Sequence, residues 1–162
     1  MTTQHPTPEA PMPFYLLSPE VPANAMDEVY ANEPRTPLRT VSARMEFEFP
    51  LRTEIITSVG TYAVTEELAE AMDEAGLTGY RLGPCTTSIA PWVEDPDAIG
   101  ELPPLHCLDI WGIPLEHDLG IRTKGSELIV SQRAYDLICD RNPSLIEFSN
   151  RVDEHGNTIY KV

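Results

Sequence analysis

The sequence is poor in positive charge. Its 162 residues include 11 Lys and Arg against 26 Asp and Glu, which gives a formal net charge of −15 at pH 7. A field of that sign repels phosphate groups, so it disfavours direct binding of nucleic acid or of an anionic membrane. It favours a basic protein partner, although the same acidity also serves simply to keep a chain soluble.

Long apolar runs are absent as well. No stretch of 18 or more apolar residues occurs, so we expect no membrane-spanning helix. The opening residues, MTTQHPTPEAPMP, have neither a basic region nor an apolar core, so we expect no secretory signal and a cytoplasmic location. Four prolines in residues 1–13 predict an extended or disordered arm. The remaining residues, 14–162, are predicted to form a single domain.

Cysteine is scarce, and its spacing is unlike that of a disulfide framework. Cys85, Cys107 and Cys139 are odd in number and far apart, which indicates buried thiols in a reducing compartment. A zinc site built from Cys85, His106, Cys107 and His117 is disfavoured, because neighbouring strand residues point to opposite faces. We expect Cys107 in the core and His106 outside, or the reverse, with no metal bound.

Catalytic signatures are missing too. The nine glycines do not cluster, and there is no GxSxG, phosphate-binding glycine loop, HExxH or CxxC motif. Asp109, His117 and Asp118 offer acid and base groups, but no motif places a nucleophile or an oxyanion donor beside them. We therefore predict no catalytic residues and no cofactor.

What the sequence does contain is an internal repeat at an offset of 66 residues. Each copy is predicted to be a strand, a short helix and a second strand. In the first copy these are Tyr62–Thr65, Glu66–Ala75 and Tyr80–Leu82. In the second they are Leu128–Ser131, Gln132–Arg141 and Ile146–Phe148.

Both predicted helices carry start and stop signals. Thr65 and Ser131 supply hydroxyl N-caps, and Gly76 and Asn142-Pro143 supply the stops. Apolar residues recur at helical spacing in each copy. The stripes comprise Leu68, Ala71, Met72 and Ala75 in the first helix, and Ala134, Leu137, Ile138 and either Cys139 or the Arg141 stem in the second.

Other segments complete the expected fold. Strands are predicted at Phe14–Leu17, within 40–59, at Leu105–Trp111, and as a hairpin of Ile146–Val152 with Thr158–Val162. Residues 18–37 are predicted to be a loop with one helical turn near Asn24–Ala31, and residues 83–124 are predicted to be rich in loops. The fold class is therefore α+β, a mixed or antiparallel sheet with two short helices.

The segment between the two copies is the candidate functional region. No Lys or Arg lies between Leu82 and Ile121, and both tryptophans of the chain are there. We therefore expect the carboxylates of this segment to be uncompensated, and such carboxylates among large aromatics can steer and anchor a basic partner. The candidate partner-binding residues are Trp92, Glu94, Asp95, Asp97, Glu101, Asp109, Trp111, Glu116 and Asp118. Alternatively, the acids lie on a solvated loop. We favour a core position for Trp111, whereas Trp92 fits an interface and a core equally well.

The repeat also resembles a known family. Residues 60–82 resemble a unit of strand, Ser/Thr cap, helix, AGLTG turn and strand in immunity proteins of bacterial polymorphic toxin systems, notably the immunity-eleven-like and myxobacterial-type groups. The segment from Leu128 to Ala134 is similar to the IVSER start of their C-terminal unit, with Gln132 in place of the acidic residue.

The resemblance implies a protein that binds and neutralises a cognate toxin, with no shared catalytic residues. The alternative is a non-catalytic regulatory or scaffold domain of a secretion-related or phage-derived operon. An enzyme is the weakest of the three hypotheses.

Overall fold

A computed structural model describes residues 13–31, 37–123 and 125–161. They form an α+β fold, which confirms the predicted class. The helices are α1 (Glu66–Glu74) and α2 (Gln132–Arg141). The strands are β1 (Phe14–Leu17), β2 (Ala23–Tyr30), β3 (Thr40–Phe47), β4 (Ile55–Ser58), β5 (Thr61–Thr65), β6 (Tyr80–Ile89), β7 (Leu105–Ile110), β8 (Leu119–Ile121), β9 (Leu128–Ser131), β10 (Asn150–Val152) and β11 (Thr158–Ile159).

Six strands form a curled sheet, which we call the half-barrel. Its order is β2-β3-β6-β7-β5-β4, and only β3 and β6 run parallel. The sheet curls until its edge strands approach, and the Ala25 amide donates to the Ser58 hydroxyl at 3.0 Å. Small and apolar side chains fill the concave side, among them Ala23, Met45, Phe47, Ile56, Ala63 and Leu105.

The other five strands form an antiparallel sheet of order β11-β10-β1-β9-β8. One apolar cluster joins this sheet, both helices and the convex side of the half-barrel. Its fully buried members include Leu68, Met72, Leu128, Val130 and Ile138. Burial of such side chains is the main stabilising contribution, at about 1.5–3 kcal/mol each.

The two repeat copies fold locally as predicted but join different sheets. Thr65 and Ser131 are the N-caps, and their hydroxyls accept from the Leu68 and Ala134 amides at 3.3 and 3.2 Å. Gly76 follows α1 with φ of 68°, the left-handed conformation expected of a helix stop.

The predicted apolar stripes need correction in both helices. In α1, Ala69 is buried, Ala71 is only partly buried and Ala75 is exposed. In α2, Leu137 is only partly buried and Arg141 is exposed, whereas Cys139 is buried.

The prediction of a loop with a helical turn near Asn24–Ala31 is wrong, because this segment forms β2. Its alternate residues Ala23 and Ala25 face the interior of the half-barrel. The pairing with β3 is irregular after Met26, and Asp27 has φ of 55°. This bulge breaks the period-2 pattern that marks a strand in sequence.

The region 83–124 contains more strand than predicted. The strand predicted at Tyr80–Leu82 extends to Ile89 as β6, and β8 lies in a part of this region for which no strand is predicted. Pro84 lies one residue before the first β6–β3 pair, Cys85 with Ala43, so its missing N–H does not interrupt that ladder. The predicted strand at 105–111 is confirmed as β7, one residue shorter.

The third element of the second repeat copy is also wrong. Residues 146–148 form no strand, because a 3₁₀ turn at Pro143–Leu145 is followed by further turn hydrogen bonds up to Ser149. The C-terminal hairpin is confirmed within narrower bounds, as β10 and β11. Of the proline-rich arm, residues 1–12 lie outside the described part of the chain.

Within the described ranges, neither helix has the length and apolar character needed to cross a membrane.

Candidate functional site

The structure divides the candidate region between two ends of the half-barrel. Trp92, Glu94, Asp95, Asp97 and Glu101 lie in the β6–β7 loop, at one end. The β7–β8 loop is at the other end and contains Trp111, Glu116 and Asp118, while Asp109 lies near the end of β7 that leads into this loop. Strand β7 separates them, and its six residues span about 20 Å. The nine candidate residues therefore do not form one surface.

The β6–β7 loop is anchored to the interior of the half-barrel. Ile99 is buried there, and Val93 and Leu102 pack partly against the same cluster. Inside the loop, a 3₁₀ helix spans Pro96–Ala98, and the Val93 amide donates to the Ala90 carbonyl at 3.1 Å. Loop anchoring of this kind lowers the ordering entropy that binding would otherwise cost.

Trp92, in the same loop, is 61% exposed. Its neighbours Glu94, Asp95, Asp97 and Glu101 are exposed as well. In the described part of the chain, no ion pair involves these four carboxylates. The loop thus presents a large aromatic among uncompensated negative charges.

Two apolar side chains that the sequence reasoning missed lie at the same end. Phe49 is 60% exposed, and Val21 is 58% exposed. They line a cavity of about 220 Å³ together with Arg52, the basic residue of this region. A signal for Phe49 existed, since it extends an apolar alternation and precedes Pro50, where the strand must end.

Trp92 and Phe49 are close enough to belong to one interface. The Ala90 amide donates to the Phe47 carbonyl at 2.9 Å. Trp92 follows Ala90 by two residues, and Phe49 follows Phe47 by two residues. Their backbones are therefore within about 20 Å of each other. We call this surface the acidic end, and it comprises Val21, Phe49, Trp92, Glu94, Asp95, Asp97 and Glu101.

Further carboxylates continue from the acidic end along α1. The Glu66 amide donates to the Pro104 carbonyl at 3.2 Å, so the helix begins where the β6–β7 loop ends. All acidic residues of α1 are exposed, namely Glu66, Glu67, Glu70, Asp73 and Glu74. Glu66 and Glu67 also suit the N-terminal end of the helix dipole.

Asp109 is not available to a partner. It is 2% exposed, and Arg39 donates to both its oxygens, from Nε at 2.8 Å and from Nη2 at 3.0 Å. The Arg81 Nε lies 3.7 Å away. These arginines come from outside the stretch that lacks basic residues, so the expectation that its carboxylates are uncompensated is wrong for Asp109.

The same correction applies to Asp118, which is 8% exposed. It accepts hydrogen bonds from Arg133, from the Ser131 hydroxyl at 2.6 Å and from the Thr78 amide at 2.8 Å. Burial raises the pKa of Asp118, but these bonds outweigh it and hold the pKa well below its usual range. Asp118 is therefore a structural ion.

Trp111 and Glu116 lie in the β7–β8 loop. Trp111 is 38% exposed and contacts the His117 ring edge-on, with centroids 4.9 Å apart, so the preferred core position is wrong. Glu116 is exposed. Neither residue adjoins the acidic end.

The groups weighed for metal or acid–base chemistry are dispersed. Cys107 is fully buried and His106 is on the opposite face of β7, the first of the two expected arrangements. His117 Nδ1 accepts from the Ile113 amide at 2.8 Å. Among the described residues, no three His, Cys, Asp or Glu side chains are grouped so that they could hold a metal ion.

Comparison with models of known protein families and with curated proteins finds no match for this chain.

Proposed function

We propose that this protein is an immunity protein, which binds a cognate bacterial toxin domain through the acidic end and so neutralises it. The observation that carries the proposal is the exposure of Trp92 on an anchored loop, among carboxylates that form no ion pair within the described part of the chain. Each feature supports a different step of binding.

The apolar side chains supply the contact. Exposed tryptophan and phenylalanine at one end of a fold are typical of an interface rather than of free surface. Tryptophan is enriched among residues that dominate binding energy, because it buries a large area at a small cost in side-chain entropy. Trp92 and Phe49 are therefore the expected anchors.

The carboxylates supply the approach. Together with the net charge of −15, they create a negative field that accelerates encounter with a basic surface. The acidic side chains of α1 extend this field beside the contact. A basic toxin domain, such as one that acts on a phosphate-bearing substrate, has the complementary charge.

The immunity assignment itself rests on the resemblance of residues 60–82 and 125–150 to that family. Neutralisation by covering requires affinity and no chemistry of the inhibitor's own. A chain without catalytic motifs and with an anchored, charged contact surface fits that requirement.

The test has two stages. The full chain, immobilised, captures proteins from its native host, and a Trp92→Ala, Phe49→Ala variant serves as the matched bait. A protein retained by the wild type and not by the variant is then expressed alone and with this chain in a bacterial host. We expect arrest of growth in the first case and growth in the second.

Glu116→Lys is the control bait, because this exposed residue lies at the other end of the half-barrel. It should retain the same protein as the wild type. A captured protein that is harmless on its own would overturn the immunity assignment and favour the regulatory or scaffold alternative.

A further inference from the structure

Two of the three cysteines meet inside the half-barrel. Cys85 on β6 is opposite Leu105, and Cys107 on β7 is opposite Gly83, so the two cysteines are diagonal neighbours on one face of the sheet. Both are free thiols, and the Cys85 Sγ donates to the Thr86 carbonyl at 3.7 Å.

The backbone of β3 lies close to this pair. Gly83, opposite Cys107, has no side chain, and the Val41 carbonyl of β3 occupies the space where its Cβ would be. The Met45 amide lowers the pKa of Cys85, and the Ala43 amide lowers that of Cys107. Amide donors at these positions stabilise a thiolate over a thiol.

The two thiols differ in acidity and access. The neighbouring Cys107 thiol lowers the pKa of Cys85, whereas the neighbouring Cys85 thiol, together with burial, raises the pKa of Cys107. Cys85 is partly exposed and Cys107 is fully buried. Low pKa, access and a neighbouring thiol are the properties of a cysteine that is oxidised and then resolved by its neighbour.

We propose that Cys85 and Cys107 form a reversible intramolecular disulfide when the protein meets a hydroperoxide. The Cys85 thiolate attacks one peroxide oxygen, forming an S–O bond as the O–O bond breaks. The other oxygen leaves as hydroxide and is protonated to water, and Cys85 becomes a sulfenic acid. The Cys107 sulfur then attacks the Cys85 sulfur, and hydroxide leaves with the Cys107 proton as water. Overall, two thiols and one hydrogen peroxide give one disulfide and two waters.

The bond should also be easy to reduce. Diagonal neighbours in an antiparallel pair are about 7–8 Å apart between Cα atoms, whereas a disulfide holds its Cα atoms within about 6.8 Å. Closure must therefore draw β6 and β7 together locally. Strained disulfides have less negative reduction potentials, which is typical of reversible rather than structural bonds.

Counting thiols tests the proposal. The native full-length protein is treated with hydrogen peroxide, and catalase then removes the excess peroxide. The protein is unfolded in the presence of N-ethylmaleimide, which labels free thiols, and is analysed by intact mass and peptide mapping. We expect three labels before oxidation and one afterwards, on Cys139, and dithiothreitol should restore three. This measurement on the wild type needs no variant to fold.

Variants then identify the roles. Cys139→Ser is the matched control, since Cys139 is a buried thiol on α2. This variant should carry two labels before oxidation and none afterwards. In Cys107→Ser, Cys85 should stop at a sulfenic acid that dimedone traps. Three labels retained after oxidation, a disulfide to Cys139 or an intermolecular disulfide would each overturn the proposal.

Discussion

Arg133 donates to both carboxylate oxygens of Asp118, from Nη2 to Oδ2 at 2.6 Å and from Nε to Oδ1 at 2.9 Å. The same guanidinium donates to the carbonyls of Ala75 and Gly76, at 3.0 and 2.9 Å. It thereby satisfies carbonyls at the end of α1, which a helix otherwise leaves unpaired. One ion pair thus joins the end of α1, the start of β8 and the start of α2.

Replacing Asp118 with Asn should destabilise the fold. The substitution removes the charge that faces Arg133 and at least one of the strong hydrogen bonds, so we expect a loss of about 2–3 kcal/mol in the free energy of unfolding. The loss is below that of a fully buried pair, because the Arg133 side chain is 55% exposed and can turn to water. Urea denaturation at pH 7 measures it, and a change below 0.5 kcal/mol, the usual range for surface substitutions, would contradict the account.

The contribution of Asp118 should depend on pH in a defined direction. Its pKa is lower in the folded chain than in the unfolded chain, so the unfolded state takes up a proton first as the pH falls. The stabilisation is therefore fully present above the unfolded value of about 3.9 and is lost below it. The difference in unfolding free energy between wild type and Asp118→Asn, measured from pH 7 to pH 3, should be constant at first and then shrink. A difference that grows on acidification would have the wrong sign.

The two helix caps should differ in their importance. Thr65→Ala removes one capping bond and should cost about 1 kcal/mol. Ser131→Ala removes the equivalent bond and also the donation from the Ser131 hydroxyl to Asp118, so we expect about 2–3 kcal/mol. Thermal and urea unfolding of the two variants, compared side by side, tests this ranking. Equal losses would mean that the Ser131–Asp118 bond adds no net stability.

Local signals explain most of what the sequence predicts correctly. Caps, stop residues and short apolar strands depend on a few neighbouring residues, and Thr65, Ser131 and Gly76 behave as expected. The predictions fail where tertiary structure decides. Strand β2 has small alanines facing inward and a bulge at Asp27, so its pattern is weak, and only closure of the half-barrel makes it a strand.

The candidate site was predicted in part for the same reason. The lack of Lys and Arg in the surrounding sequence indicated the acids of the β6–β7 loop, which are exposed. It could not reveal that Arg39 reaches Asp109 from 70 residues away, or that Arg133 reaches Asp118. Phe49 was missed because its place beside the same loop end follows from the pairing of β3 with β6.

The packing of α2 supplies a further test. Ile138 is fully buried between the helices and the sheets, so Ile138→Ala should cost about 2–5 kcal/mol. Leu137, its neighbour in the predicted stripe, is only partly buried, and Leu137→Ala should cost less than about 2 kcal/mol. Chemical denaturation of both variants gives the comparison. A larger loss for Leu137→Ala than for Ile138→Ala would mean that the buried face of α2 is assigned incorrectly.

The acidic end is the central claim, and the kinetics of binding to the captured partner test it most directly. Surface plasmon resonance at two salt concentrations would compare the wild type with a triple variant, Glu94→Lys, Asp95→Lys and Asp97→Lys, and with Trp92→Ala. The control variants are Glu116→Lys and Trp111→Ala, at the other end of the half-barrel, and circular dichroism checks that all are folded.

The triple variant should associate more slowly and show a weaker salt dependence, because these charges guide encounter. Trp92→Ala should dissociate faster and lose about 2 kcal/mol of binding, or roughly 30-fold in affinity. Both controls should bind as the wild type does. Unchanged kinetics in the folded acidic-end variants, or equal losses in the controls, would contradict the account.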